Sequence, residues 1–180
     1  MFLTSDAMQR LLHLDTSLCI LCNRIHQRRF LTAVLRACSR LGDGIFWYGL
    51  MLTLPLFAGW GGLRASVHLN LTGILCVLLY KYLKGRTVRP RPYVNNPDIK
   101  RVMAPLDQYS FPSGHTLHAV AFTLIALAHF PALWPLLVPF TLLVALSRPA
   151  LGLHYPSDVL AGAAIGATIA GLNLVLWNYM

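Results

Sequence analysis

The sequence predicts an all-α fold: an integral-membrane bundle of about five to six transmembrane helices with an interfacial N-terminal helix. The chain has 180 residues, of which 56% are hydrophobic and only 12% charged, a composition typical of membrane proteins. Several apolar stretches approach the roughly 20 residues that a helix needs to cross a hydrocarbon core about 30 Å thick. Such spans must be helical, because a helix satisfies its backbone polar groups internally in lipid.

Five apolar segments are predicted to span the membrane, at residues 45–60, 65–82, 115–130, 133–146 and 159–177. They take up most of the chain, so no room remains for a separate soluble domain. We therefore expect one membrane-embedded domain over residues 1–180, with an N-terminal helical region at 1–44 and a core bundle at 45–180.

The N-terminal region mixes apolar and charged residues. Residues 11–25 are predicted to be helical and could form a sixth, short span, whereas residues 30–41 read as an amphipathic helix in the interface. No cleaved signal peptide is expected, because residues 1–6 carry no basic segment. Cys19 and Cys22 have the C-x-x-C spacing of redox or metal sites, but no second Cys/His pair accompanies them. We expect them to be small buried residues.

A long polar connection follows the second predicted span. It carries six basic residues against two acidic ones: Lys84, Arg86, Arg89, Arg91, Lys100 and Arg101 against Asp98 and Asp107. Such a loop is expected to meet an anion, and acidic lipid headgroups are one simple choice. Its five prolines restrict the backbone and favour a shaped loop over a flexible tether.

The loop ends in FPSGHT, residues 111–116, directly before the next apolar segment. Pro112 and Gly114 predict a tight turn, and the helix start after it offers unpaired N–H groups to an anion. Ser113 would either cap this helix or donate its hydroxyl to the anion. His115 is a functional candidate because it is ionisable at the membrane boundary, although packing could also explain it.

A third polar stretch, SRPALGLHYPSD at residues 147–158, follows an equally apolar run. Asp158 lies about one helical turn after His154. Its carboxylate could hold a proton on one imidazole nitrogen and leave the lone pair of the other free to attack. Arg148 offers the forked donors that match phosphate oxygens. Each residue has an ordinary explanation on its own: Arg148 could snorkel, His154 could pack in the interior, and Asp158 could cap a helix. Their coincidence in a chain with only six acidic residues favours a functional site.

Three motifs occur in order: K-x6-R-P (Lys84, Arg91, Pro92), P-S-G-H (residues 112–115) and S-R-x5-H-x3-D (residues 147–158). Together they resemble the three-part signature of the type 2 phosphatidic acid phosphatase superfamily, which also includes vanadium haloperoxidases. SRLGDG, residues 39–44, is a further weak likeness, and the spans resemble those of small bacterial integral-membrane members.

The resemblance implies a phosphatase that needs neither metal nor cofactor and works through a phosphohistidine. His154 would be the nucleophile, Asp158 would orient it, and His115 would be the general acid. The implied phosphate-binding residues are Lys84, Arg91, Ser113, Gly114 and Arg148. Cationic side chains would do the work of a metal, which agrees with a chain that has no glutamate.

The expected partners are a lipid phosphate substrate and membrane lipids, with no nucleic acid. Undecaprenyl pyrophosphate is the expected substrate; phosphatidylglycerophosphate, phosphatidic acid and lipid A phosphates are alternatives. A non-catalytic lipid-binding membrane protein is the alternative of another class, and a haloperoxidase is disfavoured because those members are larger and soluble. His118 could either pack in the protein or extend a proton path. Arg86 and Arg89 could either bind a second phosphate or face the solvent.

Charge and resemblance disagree about orientation. Most basic residues fall on the side of the polar loops, and Arg64 is the only clear one opposite, so the positive-inside rule places the site in the cytoplasm. The resemblance implies a site at the periplasmic or outer face of a bacterial inner membrane. We favour the resemblance, because basic residues recruited to bind phosphate do not report topology.

Overall fold

The computed structural model describes residues 6–177 and residue 179, and these residues form helices and connecting turns without a strand. The helices are α1 (Asp6–Asn23), α2 (Arg29–Arg40), α3 (Phe46–Thr87), α4 (Pro92–Asn95), α5 (Gly114–His129), α6 (Trp134–Ala150) and α7 (Pro156–Trp177). Short 3-10 helices lie at Arg24–Gln27 and Pro131–Leu133, and a π-helical turn at Leu41–Ile45 joins α2 to α3. The predicted all-α fold is confirmed.

Helix α3 is a hairpin of two arms. Its 42 residues would extend about 63 Å if straight, roughly twice the hydrocarbon thickness. Gly59 interrupts it with φ 52° and ψ −128°, a conformation that glycine tolerates best. The Ser66 hydroxyl donates to the Met51 carbonyl at 2.7 Å, although 15 residues separate them. The arms, residues 46–58 and 60–87, therefore run antiparallel and correspond to the first two predicted spans.

Three segments of the described chain are long and apolar enough to cross a membrane, judged by length and composition. They are Arg29–Asn95, which contains the α3 hairpin, Pro131–Ala150 and Pro156–Trp177. Large apolar side chains on these segments point outward, among them Phe57 (89% exposed) and Leu160 (71%), as a lipid-facing surface requires. Helix α5 coincides with the predicted span at 115–130 but has only 16 residues.

Helix α5 is the centre of the bundle and packs against α3, α6 and α7. Two glycines of α7 allow a close approach of the helices. A Cβ at Gly162 would lie 2.6 Å from the carbonyl oxygen of Ser113, and one at Gly166 would lie 2.3 Å from that of Leu117. Small residues at such contacts let helix backbones approach in membranes. The start of α5 is thereby fixed against the start of α7.

Helix α1 turns a polar face toward the protein. Asp15, Cys19 and Asn23 are buried, whereas Leu14 and Leu21 are each 58% exposed. The Asn23 amide group donates to the carbonyls of Ala150 and Lys100, so α1 covers the connections that precede α5 and α7. Helix α1 is not among the segments that meet the spanning criteria.

Helix α2 forms where an amphipathic helix was predicted and buries one face through Thr32, Leu35 and Ser39. Its place in the membrane interface stays a prediction. Cys19 is fully buried, as expected, whereas Cys22 is only partly buried.

Candidate active site

A cavity of about 620 Å³ lies where α3 and α6 end and α5 begins. Residues of all three motifs line it: Lys84, Arg91, Gly114, His115, Arg148 and His154. Motifs far apart in the sequence therefore meet in one place. The other two predicted site residues, Ser113 and Asp158, are both fully buried.

His154 lies in the turn between α6 and α7 and is 1% exposed. Arg91 Nη1 lies 3.2 Å from its Nε2. Because a guanidinium can only donate, Nε2 carries the lone pair and Nδ1 the proton. Burial, followed by the positive charges of Arg148, Arg91 and Lys84, holds the pKa of His154 well below its usual range. The ring is therefore neutral, as a nucleophile requires.

Asp158, in the first turn of α7, lies near His154 but is not hydrogen-bonded to it. Its Oδ2 is 3.8 Å from His154 Nδ1, and that nitrogen has no hydrogen-bond partner in the described structure. Instead, Oδ2 accepts from the Tyr155 N–H at 2.8 Å and Oδ1 accepts from Arg89 at 2.6 Å. The predicted spacing thus places the carboxylate beside the proton-bearing nitrogen, one short movement away from contact.

Arg89 connects this carboxylate to α1. Its Nη2 donates to Asp15 at 2.7 Å, while its Nη1 contacts Asp158 and the Ser157 hydroxyl. Arg89 therefore neither faces a second phosphate nor lies free in solvent, the two alternatives left open by the sequence. Arg86 is exposed and stacks over the ring of Tyr82.

Lys84 and Arg91 share one carboxylate. Lys84 Nζ lies 2.6 Å from both oxygens of Asp107, and Arg91 Nη2 lies 2.8 Å from its Oδ1. Burial would raise the pKa of Asp107, but the hydrogen bond and charge of Lys84, with those of Arg91, hold that pKa below its usual range. Asp107 is thus ionised and orders two cations that are themselves only 6% and 2% exposed.

Arg148, at the end of α6, is 2% exposed and contacts the Ser39 hydroxyl through Nη1. Its Nε has no hydrogen-bond partner in the part of the chain that the structure describes. No carboxylate there lies within ion-pair distance of it, either. A buried guanidinium with unused donors beside a cavity is well suited to an anion.

The start of α5 contributes two cavity-lining residues, Gly114 and His115. Ser113 precedes them, and its hydroxyl lies 3.0 Å from that of Thr116 while its N–H donates to the Asp158 carbonyl at 3.0 Å. In this structure Ser113 therefore joins α5 to α7, and its hydroxyl is engaged within the helix start.

His115 contacts an acid that motif reading did not assign: its Nε2 bonds Asp43 Oδ1. His118, one turn later, donates from Nδ1 to the Gly114 carbonyl at 2.8 Å and packs edge-on against Tyr80. It also lines the cavity. His118 therefore packs against Tyr80 and also faces the cavity, so both alternatives for its role remain compatible with its position.

Sequence reasoning missed the residues that balance the site's charges and hold its cations: Asp15, Ser39, Asp43, Arg89 and Asp107. Two signals were available. Ser39 and Asp43 both belong to the SRLGDG stretch, and Asp107 is one of only two acids in the basic connection. The local sequence around Asp15 does not predict its contacts with Arg89 and Ser157, which lie 74 and 142 positions later.

Comparisons with known proteins bear on the family and the fold of the chain. A family model described as the PAP2 superfamily matches residues 63–179. Undecaprenyl-diphosphatase BcrC of Bacillus subtilis is 31% identical over 123 residues, which cover 68% of this chain and 62% of that protein.

Two crystal structures share the fold. LpxE of Aquifex aeolicus gives a TM-score of 0.76 at 28% identity, covering 88% of this chain and 93% of that one. A transmembrane PAP2-type phosphatidylglycerolphosphate phosphatase from Bacillus subtilis gives a TM-score of 0.75 at 24% identity, covering 98% and 89%. The helical bundle is therefore that of transmembrane PAP2 proteins, and the chain is an integral membrane protein.

Proposed function

Because the chain belongs to the PAP2 superfamily, we propose that it is a metal-independent phosphatase of lipid phosphates and pyrophosphates. The observation that carries the proposal is the convergence of three buried cations on a buried, neutral histidine. Lys84, Arg91 and Arg148 are each at most 6% exposed and line one cavity with His154. Buried charge is costly unless it is compensated, and a phosphoryl group supplies the missing negative charge.

In the first step, the Nε2 lone pair of His154 attacks phosphorus. The N–P bond forms as the bond from phosphorus to the leaving oxygen breaks, and His115 gives its proton to that oxygen. Lys84, Arg91 and Arg148 stabilise the charge on the remaining phosphoryl oxygens. Asp158, near Nδ1, stabilises the positive ring of the phosphohistidine.

In the second step, water attacks the phosphohistidine. His115, now neutral, takes the proton of the water as the new O–P bond forms. The N–P bond breaks, its electron pair returns to Nε2 of His154, and inorganic phosphate leaves. The site is then restored, and no metal ion enters either step.

Undecaprenyl pyrophosphate is the proposed substrate. Support comes from the named activity of the Bacillus relative, of whose length this chain spans 62%. Among the residues that line the cavity, Trp47, Tyr48 and Val77 suit an apolar chain. Lys81 also lines it, one turn before Lys84, and would hold the second phosphoryl group.

The test is phosphate release from a panel of lipid phosphates in detergent, with EDTA present. We expect the highest kcat/KM for undecaprenyl pyrophosphate, with phosphatidylglycerophosphate and phosphatidic acid as the competing substrates. His154→Asn should abolish release and the acid-labile phosphoenzyme. His13→Asn, an exposed histidine on α1, is the matched control. EDTA-sensitive release, or full activity of His154→Asn, would contradict the mechanism.

We also propose that the site opens at the periplasmic or outer face of a bacterial inner membrane. Single cysteines at Asn95 and Gly61, both exposed and near opposite ends of the bundle, can be labelled from outside with an impermeant reagent. Gly61 is preferable to Gly62, because a side chain at Gly62 would meet the Leu54 carbonyl at 2.0 Å. Labelling of Asn95→Cys only after the inner membrane is breached would reverse the assignment.

A further inference from the structure

Asp43 reaches the cavity from an irregular turn. It lies in the π-helical turn Leu41–Ile45, where Gly44 adopts φ 137° and ψ −30°. Such turns are rare and are frequent at functional sites. An ordinary side chain at Gly44 would be strained at this φ and would meet the Tyr48 ring at 2.8 Å. The turn therefore interrupts the helix at the point where Asp43 enters the site.

The contact of Asp43 fixes a proton on His115. Carboxylate oxygens of an ionised aspartate can only accept, so the bonded Nε2 of His115 carries hydrogen. Both side chains line the cavity and stay partly open to it, at 26% exposed for Asp43 and 10% for His115. A carboxylate so close also favours the protonated ring over the neutral one.

The other ionisable groups around the cavity come from every element that lines it. They are Tyr48, Tyr80, Lys81 and Lys84 of α3, Arg91, Asp107 and Tyr109 of the polar connection, His118 of α5, Arg148 of α6, and His154. Burial of the ring, followed by the charge of Arg148, opposes protonation of His115, whereas the Asp43 carboxylate favours it. Asp107 is engaged by Lys84 and Arg91. Among the described residues, Asp43 is thus the acid in direct contact with the ring.

We propose that Asp43 is a positioning residue that favours the acid form of His115 in the first step, against the burial and the cations that oppose it. With Nε2–H retained by Asp43, the proton that moves is the one on Nδ1: it passes to the leaving oxygen, and Nδ1 later takes a proton from water. The inference rests on the proposed function, because it assigns the partner of that reaction's general acid.

Leaving groups provide the test. Departure of 4-nitrophenolate needs little protonation, whereas departure of a lipid alkoxide needs the acid. For Asp43→Asn, which keeps the shape and an acceptor oxygen, we expect kcat/KM for phosphatidic acid to fall about 100-fold. For 4-nitrophenyl phosphate, the same variant should lose less than about threefold, because general-acid help is a small part of that barrier. The parameter kcat/KM reports the steps through the departure of the leaving group.

A second readout is the pH profile. The alkaline limb of kcat/KM for phosphatidic acid should move to lower pH in Asp43→Asn, because His115 loses the charge that retains its proton. Asp98→Asn makes the same chemical change at an exposed loop position and should change neither readout.

The outcomes separate the two levels of inference. If the wild type releases phosphate from none of the lipid phosphates and pyrophosphates of the panel, nor from 4-nitrophenyl phosphate, the proposed function fails and this inference fails with it. If the wild type is active and Asp43→Asn loses both activities equally, or neither, Asp43 has a structural role or none, and the positioning assignment alone is overturned. A selective loss on phosphatidic acid with a shifted alkaline limb supports it.

Discussion

Replacing Arg89 with methionine should destabilise the protein more than any exposed arginine replacement. Arg89 lies between two carboxylates, at 2.6 Å from Asp158 and 2.7 Å from Asp15. The side chains of these acids are 0% and 9% exposed, so the substitution leaves two buried charges without their partner. Methionine largely keeps the packing of the aliphatic part of the Arg89 side chain. The loss of stability is therefore mainly electrostatic.

The magnitude follows from burial. Removing one partner of a buried ion pair costs about 3–5 kcal/mol, and the low end applies because the Arg89 side chain is 22% exposed. For a chain of this length, each kcal/mol lowers the melting temperature by roughly 2–4 °C. A loss of about 3 kcal/mol therefore predicts a decrease of about 6–12 °C.

The assay is thermal unfolding of purified protein in one detergent, followed by intrinsic fluorescence. Arg86→Met is the matched control, since Arg86 is exposed and stacks over the Tyr82 ring; its expected effect is within about 0.5 kcal/mol. Adding Asp15→Asn to Arg89→Met removes one uncompensated charge and should restore part of the loss. Equal melting temperatures for Arg89→Met and Arg86→Met would refute the reasoning.

Four further predictions concern the cavity and the helix contact beneath it. Arg148→Lys should lower kcat/KM about 100-fold or more. The lysine ammonium cannot replace a guanidinium that contacts Ser39 through Nη1 and still offers Nε to an anion. Arg86→Lys is the control. The acid limb of kcat/KM should lie well below pH 6.5, because the pKa of His154 is lowered. The free energy of unfolding should also fall as the pH is lowered. The unfolded chain binds a proton at His154 below about pH 6.5 and at Asp107, whose pKa is also lowered in the fold, below about pH 4. Acid therefore favours the unfolded state. Gly166→Ala should lower the melting temperature, since its Cβ would lie 2.3 Å from the Leu117 carbonyl, whereas Gly171→Ala meets no atom within 4 Å and should not.

The sequence was sufficient for the parts of the structure that depend on local pattern. Long apolar runs predicted the two arms of α3 and the helices α5, α6 and α7, because a helix is the only local way to bury a backbone in lipid. The motif residues Lys84, Arg91, His115, Arg148 and His154 were identified because the three motifs resemble a family signature, and the structure places all of them at the cavity.

Contacts between distant segments could not be read in the same way. The hairpin in α3 needs Gly59, but a glycine within an apolar run does not reveal its φ angle before the fold is known. Asp158 was correctly placed near His154 by its spacing, yet its stronger partner is Arg89, 69 residues earlier. Local spacing reports neighbours on one helix, and the packing of separate helices decides which of several possible partners a charge takes.

Most of the few acidic residues in this chain are used at the site. All six acids are aspartates, and four of them contact the site or the residues that support it. Asp107 orders Lys84 and Arg91, Asp43 bonds His115, and Asp158 and Asp15 hold Arg89. Among the described residues, no carboxylate pairs with Arg148 and its Nε has no hydrogen-bond partner, which marks where external negative charge is most needed. Internal acids thus fix the cations in position, while the remaining unbalanced guanidinium, beside the nucleophile His154, sets the place where a phosphoryl group would bind.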